Sequence, residues 1–308
     1  MSLGAFLLRR LLHGLAVLGA LSLLVFLVLQ LVPGDPAVTV AGVGATQHDI
    51  EVIRHQLGLD RPIWAQFLIW VGHVLTGDWG TSIITREPVL PTLLERLRMT
   101  ILLASAGIVI ATTVGILLGV RAALKANTAA DVGLSFVALL GISMPIFWVG
   151  LLLQLFFAIQ LGWLPATGSG GLAHLLLPAI TIGANSIGII MRMTRSSMLE
   201  VLRQDFIRTA RATGLPQRGI VYRHALRNAL IPIITVIGVQ FAYLMGGAVL
   251  TETVFLWPGI GKLLADAVFS RDFPMVQGAL LLVGIMFVLV NTLVDLTYSA
   301  IDPRVRLH

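Results

Sequence analysis

One segment of the sequence places glycines before a lysine, the arrangement that proteins use to hold nucleotide phosphates. In Gly259-Ile260-Gly261-Lys262 only one residue separates the glycines, and Leu263 stands where Ser or Thr is needed. A phosphate loop requires four intervening residues, so that its backbone N–H groups can surround the phosphate. The segment therefore predicts no nucleotide site. It more simply indicates an outer re-entrant turn after Trp257, a position that suits an aromatic residue at a membrane interface.

Residues for acid–base, nucleophilic or metal chemistry are equally sparse. Ser169 and His174 lie close together, but in a predicted outer loop and without a second acid–base partner. The seven histidines show neither the His-x-x-x-His nor the Glu-x-x-His spacing of metal sites, and the absence of cysteine excludes thiolate ligands and thiol catalysis. We predict that the chain is not an enzyme and holds no cofactor or metal ion of its own.

The composition is that of a membrane protein. Hydrophobic residues make up 57% of the 308 residues and charged residues only 12%, which leaves too little charge to cover a soluble body of this size. The formal net charge of +6 does not indicate nucleic-acid binding, because in a membrane chain the basic residues mark one side of the bilayer. We predict an all-α polytopic membrane protein.

Six stretches are long and apolar enough to cross a bilayer, which takes about 20 residues. A cleaved signal peptide is the alternative for the first stretch, but the run is long and lacks an Ala-x-Ala site. Each stretch is expected to be helical, since open strands leave backbone groups unpaired in lipid. Prolines are expected to kink three of them, at Pro145, Pro178 and Pro232. The predicted spans are 11–32, 99–120, 132–161, 172–191, 229–250 and 276–298.

The distribution of basic residues predicts the orientation. With the N-terminus inside, two thirds of the Lys and Arg residues fall in cytoplasmic segments, eight of them between residues 192 and 228. Basic residues are enriched on the cytoplasmic side of membrane proteins. We therefore expect both termini in the cytoplasm.

A long outer segment, 33–98, follows the first predicted span and carries signals for two helices. Thr46 with Asp49 predicts a helix start, and Gly58 an end. Pro62 opens a second helix with apolar residues on one side. We favour a small lid packed on its own bundle over a dedicated docking surface for an outer partner, and both roles are compatible.

The cytoplasmic segment 192–228 combines its arginines with apolar residues at helical spacing: Leu199, Leu202, Phe206, Ile207 and Ala210. Gly214 interrupts this pattern, and 216–227 has the composition of a second short helix. A basic loop that only fixes topology and touches anionic lipid is one interpretation. The apolar stripe favours another, in which the helix enters a groove of a partner protein.

At this point the sequence resembles a known family. The segment 205–215 resembles the cytoplasmic coupling motif of ABC importer permeases, with Arg208-Thr209-Ala210 where many members have Glu-Ala-Ala. That departure resembles the dipeptide and oligopeptide branch, which includes nickel and glutathione importers, and within it the first of two permease subunits. The other matching motifs are Gly34-Asp35-Pro36, 57–62, Gly77-Asp78-Trp79-Gly80, 223–228, Trp257-Pro258-Gly259-Ile260-Gly261 and Asp302-Pro303-Arg304.

The resemblance implies a type I importer permease fold in the bacterial cytoplasmic membrane, divided into 1–32, an outer loop domain 33–98 and a core 99–308. It implies a second permease subunit, two ATPase subunits that carry ATP and Mg²⁺, and an extracytoplasmic solute-binding protein, besides membrane lipid and no nucleic acid. ATP-driven closure of the ATPases is then expected to push on the coupling helix. The residues expected in that contact are Asp205, Phe206, Ile207, Arg208, Thr209, Ala210, Arg211, Gly214 and Leu215.

Two further sets of residues follow as expectations, together with alternatives for the function. Polar and small residues within spans give the candidates for the translocation pathway: Gln240, Tyr243, Gly246 and Asn185. The candidates for outer docking are Asp78, Trp79, Trp257 and Pro258. Peptides are the expected solute, with a nickel chelate, glutathione or haem as alternatives. A stand-alone secondary transporter is disfavoured, because we find neither mid-membrane ionisable groups nor an internal repeat.

Overall fold

The computed structural model describes residues 3–31, 36–41, 44–56 and 58–301, and this part of the chain is almost entirely helical. The motif residues Gly34, Asp35, Leu57 and 302–304 lie outside it. Within it, the extended pairing is a single antiparallel bridge between Thr81 and Pro88. The helices of the N-terminal half are α1 (Leu3–Leu31), α2 (Pro36–Ala41), α3 (Gln47–Gln56), α4 (Ile63–Leu75), α5 (Val89–Leu124) and α6 (Ala129–Ser143).

The second half of the chain contains two π-helical stretches that continue neighbouring α-helices. α7 runs on into Gln154–Gln160, and Ile220–Ala225 joins α10 to α11. The helices here are α7 (Ile146–Leu153), α8 (Leu172–Leu202), α9 (Asp205–Ala212), α10 (Gln217–Gly219), α11 (Leu226–Gly247), α12 (Val249–Val254), α13 (Ile260–Ser270) and α14 (Phe273–Ile301).

Four helical segments of the described chain are long and apolar enough to cross a membrane: Val89–Leu124, Leu172–Leu202, Gln217–Gly247 and Phe273–Val294. A bent pair, α6 with α7 and its π-helical extension, adds a fifth when it counts as one span. α1 contributes a shorter described apolar stretch, Leu12–Leu27.

The third predicted span, 132–161, is not one helix. Its two halves meet at an angle of 106°, with Met144 extended and Pro145 at the start of α7. Proline lacks the N–H that would continue the helix, and it disfavours helical backbone in the residue before it. Pro178 and Pro232, in contrast, lie inside α8 and α11, which continue through them.

Several helices extend well beyond the apolar stretches that identified them. α5 begins at Val89 rather than near residue 99, so the expected boundary between outer loop and core falls inside a helix. α8 likewise continues to Leu202, past the predicted end at 191. A hydropathy search stops at the first charged residues, whereas a helix of 36 residues, about 54 Å long, continues into water on either side of a hydrocarbon core of about 30 Å.

α8 occupies the centre of the fold, and a stripe of small residues on α5 packs against it. Gly107, Ala111, Gly115 and Gly119 recur every fourth residue and are all buried. A Cβ atom at Gly115 would lie 2.9 Å from the Ile190 side chain. Gly115 and Gly119 therefore allow α5 and α8 to pack closely.

The two outer-loop helices form as their local signals indicate. At the start of α3 the Asp49 carboxylate accepts hydrogen bonds from the Thr46 N–H (2.9 Å) and hydroxyl (2.7 Å). Beyond the end of α3, Gly58 has a positive φ of 66°. Pro62 precedes α4 in extended conformation. The structure adds α2, which the sequence analysis did not predict.

Candidate functional site

The predicted coupling segment folds as α9, a two-turn helix between the end of α8 and the helix that becomes α11. Its Ile207 and Ala210 are buried. Both belong to a hydrophobic cluster that contains Met198 of α8 and Ile220 and Val221 of the π-helical stretch. α9 is therefore fixed to the body of the protein by its apolar side.

This burial overturns part of the expectation for the apolar stripe. Ile207 and Ala210 pack inside their own chain, and Leu199 and Leu202 lie against the same cluster. These side chains are therefore not free to enter a groove of a partner. Periodicity showed that one side of the helix is buried, but it did not distinguish burial in the same chain from burial in another protein.

The opposite side of α9 is exposed and largely polar. The exposed residues are Asp205, Phe206, Arg208, Thr209, Arg211 and Ala212. Asp205 and Arg208 form an ion pair at 3.4 Å with side chains that are 93% and 76% exposed. Such a pair contributes little to stability, so both groups are available to a partner. Phe206 adds an apolar side chain, 40% exposed, to this surface.

Gly214 makes the turn that follows α9. Its φ is +79°, a left-handed conformation that side chains with a Cβ rarely adopt, although no atom lies within 4 Å of an added Cβ. A residue with a side chain is therefore disfavoured at position 214 by the backbone conformation and not by a clash with neighbouring atoms. Leu215, 43% exposed, extends the apolar surface near Phe206. The turn leads directly into α10.

The second short helix expected over 216–227 is not a separate element. Gln217–Gly247 is one continuous helical segment, in which a π-helical stretch joins α10 to α11. Ile220, Val221 and Ala225 of this stretch pack in the same cluster as Ile207. α9 is therefore packed against the beginning of a helix that is long and apolar enough to cross a membrane.

The pathway candidates divide into two pairs. Gln240 is 8% exposed and accepts a hydrogen bond from Ser186 Oγ at 2.9 Å. Asn185 is half-buried and donates from Nδ2 to the Ile142 carbonyl at 3.1 Å. Both join helices within the chain. Tyr243, 54% exposed, and Gly246 lie on the surface of α11.

Tyr243 and Gly246 are part of an uncovered stripe along the Gln217–Gly247 segment. Its exposed members recur at roughly helical spacing: Asn228, Ile231, Val239, Tyr243 and Gly246. We call this set the α11 stripe. Most of the segment otherwise packs against α8, α14 and α5, so the stripe is the side that the chain itself leaves open.

The outer docking candidates also differ in accessibility. Asp78 is exposed, and hydrogen bonds from the Gly80 N–H and from the His73 ring lower the pKa of its carboxyl group. Trp79 is half-buried and donates from Nε1 to the Val74 carbonyl at 3.2 Å. Pro258 is half-buried.

Trp257 is 2% exposed and donates from Nε1 to the Met99 carbonyl at 3.0 Å. In this structure it packs the turn against α5 and presents no surface to a partner.

Glu252 is a buried acid that sequence reasoning placed among ordinary outer-loop residues. Its Oε1 accepts from Thr100 Oγ1 at 2.6 Å, and its Oε2 from the Lys262 N–H at 2.9 Å. The Gly261 N–H adds a further hydrogen bond. Glu252 thus binds N–H groups in the first turn of α13, a position where a helix favours a negative charge.

The turn around Glu252 explains the glycines that resembled a phosphate loop. A Cβ at Gly259 would overlap the Glu252 carboxylate, and one at Gly261 would lie 2.6 Å from the Val249 Cα. The segment is therefore a tight turn between α12 and α13 whose glycines leave room for a side chain of the same chain. This confirms the turn expected after Trp257.

A cavity of about 230 Å³ adjoins this turn and reaches Gly246. Apart from Thr100 its lining is apolar, with contributions from α5, α11, α13 and α14. In the part of the chain that the structure describes, no three His, Asp or Glu side chains come together as a group that could hold a metal ion.

Two family profiles match the chain. Binding-protein-dependent transport system inner membrane component matches residues 115–307. The N-terminal profile of binding-protein-dependent transport system membrane components matches residues 3–104.

Curated relatives match over nearly their full length. A probable peptide ABC transporter permease of Sinorhizobium fredii is 45% identical, with 99% of this chain and 100% of the relative covered. The dipeptide transport system permease of Alkalihalophilus pseudofirmus is 42% identical, with 98% and 99% covered. The glutathione transport system permease of Escherichia coli K12 is 41% identical, with 98% of each covered.

Solved structures with the same fold are more distant in sequence. The MetNI methionine ABC transporter, in inward-facing conformations, gives a TM-score of 0.56 at 22% identity, over 70% of this chain and 96% of that one. An amino acid ABC transporter crystallised with histidines gives 0.52 at 15% identity, over 68% and 94%. At these identities the likeness shows the fold alone.

Proposed function

The chain belongs to the family of binding-protein-dependent transport system inner membrane components, and we propose that it is the first of two permease subunits in an ATP-driven importer of di- and oligopeptides. Named relatives handle peptides, dipeptides and glutathione. Because glutathione is itself a short peptide, the solutes named for these relatives are all peptides. A nickel chelate or haem is the alternative solute within the same family.

In the proposed topology the chain crosses the bacterial inner membrane six times, with both termini in the cytoplasm. α1 is the first span, α5 the second, the bent α6–α7 pair the third, and α8, Gln217–Gly247 and α14 are the remaining three. Support comes from the apolar lengths of the last five of these and from the arginines, which this topology places mainly on the cytoplasmic side.

The proposal rests on the way in which α9 packs against the rest of the chain. Its apolar side packs against the residues that begin the Gln217–Gly247 segment, while its charged side is free. An element that is rigid on one side and open on the other can transmit a push, whereas a flexible loop would absorb it. We infer that two partner ATPases, which carry ATP and Mg²⁺, contact α9 and the turn at Gly214 and Leu215.

The α11 stripe is the surface that we assign to the pathway and to the second permease subunit. Tyr243 and Gly246 are accessible on it. Gln240 joins α11 to α8 through Ser186, whereas Asn185 joins α8 to α6 through the Ile142 carbonyl. On the outer side we assign docking of the solute-binding protein to Asp78 and its surroundings. Ser82 and the Ile83 N–H both hydrogen-bond to Asp272, which fixes the neighbouring loop to the start of α14.

Reconstitution tests the proposal against the secondary-transporter alternative. The chain purified alone into liposomes is expected neither to hydrolyse ATP nor to accumulate labelled dipeptide. The same liposomes with the second permease, the ATPases and the binding protein are expected to take up dipeptide only when ATP reaches the ATPases. Uptake by the chain alone, driven by a proton or sodium gradient, would overturn the proposal.

A further inference from the structure

α4 is an outer-loop helix without a charged side chain. Its 13 residues include one titratable group, His73, and none of the 13 is buried. The nearest charged residues, Arg61 and Asp78, lie beyond its two ends. A surface helix in water normally has a polar side opposite its apolar side. The polar side chains of α4 are Gln66 and His73, which are too few for a helix of 13 residues surrounded by water.

One side of α4 faces the protein. Phe67 and Trp70 contact Phe26 of α1, with ring centroids 5.4 and 6.1 Å apart. Phe67, Trp70, Val71 and Val74 are half-buried. This is the side that the sequence predicted to be apolar.

The remaining side of α4 is apolar and uncovered. Trp64, Leu68 and Leu75, spaced four and seven residues apart, are 65%, 61% and 81% exposed. They fall on one side of the helix. The adjoining surface of α1 is also apolar and open, with Leu24 57% exposed and Leu27 41% exposed. Phe26, between these two residues in the sequence, is the side chain through which α1 meets α4.

The contact with Phe26 fixes the depth of α4, given the proposed function, in which α1 crosses the membrane. Phe26 lies five residues before the end of α1 at Leu31, or about 7.5 Å along the helix axis. α4 is about 20 Å long, too short to cross a hydrocarbon core of about 30 Å. It therefore lies across the outer end of the span, at the depth of the boundary between headgroups and acyl chains.

We propose that α4 is a membrane-interface helix, with Trp64, Leu68 and Leu75 inserted in the outer leaflet of the bilayer. This surface meets lipid rather than a protein, because it is apolar, carries no charge that would select a protein partner, and belongs to a helix that packs on α1, the first span of the proposed topology. Two tryptophans, Trp64 and Trp70, suit this depth, where aromatic rings are enriched. In this arrangement α4 anchors the segment 33–98 to the membrane and so positions the residues around Asp78.

Spin labelling of the assembled transporter tests the proposal. The chain has no cysteine, so Leu68→Cys gives a unique label in this subunit once accessible cysteines of the partner subunits are removed. In nanodiscs, oxygen is expected to relax the label more strongly than a water-soluble nickel chelate, at a depth of about 5–10 Å below the phosphates. Val52→Cys on α3, which is 42% exposed on a charged helix, is expected to show the reverse.

A third label, Leu24→Cys on α1, separates this inference from the proposed function. If the Leu24 label is accessible to the nickel chelate, α1 does not cross the membrane and the proposed topology fails. If the Leu24 label is in lipid but the Leu68 label is aqueous, only the interface helix is wrong. Shielding of the Leu68 label from both reagents, or its loss of chelate access on addition of the binding protein, identifies a protein occupant and also overturns the proposal.

Discussion

Arg195 of α8 donates hydrogen bonds to both carboxylate oxygens of Asp131 at the start of α6, from Nε to Oδ1 at 2.6 Å and from Nη2 to Oδ2 at 2.7 Å. The Asp131 side chain is 5% exposed and that of Arg195 30%. Asp131 also accepts from the Asn127 N–H at 3.0 Å. One of the eight arginines of segment 192–228 therefore joins two helices within the chain, α8 and α6.

Arg195→Ala is expected to lower the stability of the complex by about 3 kcal/mol, because it leaves a buried carboxylate without its partner. The measurement is the apparent Tm of the detergent-solubilised transporter. Arg192→Ala, at an exposed position one turn earlier on α8, is the matched control and is expected to leave Tm within about 1 °C, as surface substitutions usually do. Equal Tm values for the two variants would contradict a bracing role for Arg195.

Gly214→Val is expected to separate membrane insertion from ATPase attachment. The β-branched side chain disfavours the positive φ of 79° at a cost of about 1–3 kcal/mol, so the turn after α9 changes its path while the packed core is unaffected. The variant is expected to accumulate normally in membranes and to copurify less than half as much ATPase.

Thr213→Val provides the control for that variant. It places the same side chain one residue earlier, where φ is −78°, and removes only the hydrogen bond from Thr213 Oγ1 to the Ala210 carbonyl. ATPase copurification is expected to stay near that of the unmodified chain. Unchanged attachment in Gly214→Val would count against the coupling role of this turn.

Gly119→Leu is expected to prevent assembly of the core. A Cβ at this position would lie 2.5 Å from the Thr194 Cβ and 2.7 Å from the Met191 carbonyl, and neither helix can yield without losing packing along its length. The readout is a size-exclusion profile of the fluorescently tagged chain. Gly133→Leu on α6, where no atom lies within 4 Å of the added Cβ, is expected to retain a single symmetric peak.

Local signals predicted local structure. Thr46 with Asp49 marked the start of α3, Gly58 its end, and Pro62 the start of α4, because each signal acts within a few residues of itself. Three prolines were expected to kink their helices. Pro145 divides one, where α7 turns to pack on α8 and α12, whereas α8 and α11 continue through Pro178 and Pro232. The sequence around a proline does not show whether packing against distant helices will break the helix at that point.

Contacts between distant residues were beyond sequence reasoning. Arg195 and Asp131 are 64 residues apart, and Thr100 and Glu252 are 152 apart. In a single sequence each member looks like an ordinary charged or polar residue near the end of a span. The direction of the apolar side of α9 was missed for a similar reason, because helical periodicity specifies a buried side without specifying what covers it.

Gly259→Ala and Glu252→Ala form a double-mutant cycle that tests the turn between α12 and α13. The methyl group of Ala at 259 would occupy the position of the Glu252 carboxylate, so Gly259→Ala alone is expected to displace that carboxylate from Thr100 and from the N–H groups of α13. Once Glu252 is already Ala, the added methyl group meets no carboxylate. The loss of stability in the double variant is therefore expected to be smaller than the sum of the two single losses by about 0.5–3 kcal/mol, the range seen for residues in direct contact. The apparent Tm values of the unmodified complex, the two single variants and the double variant give the coupling energy between the two positions. Additive losses would mean that Gly259 is required for its backbone alone and not for the room that it leaves to Glu252.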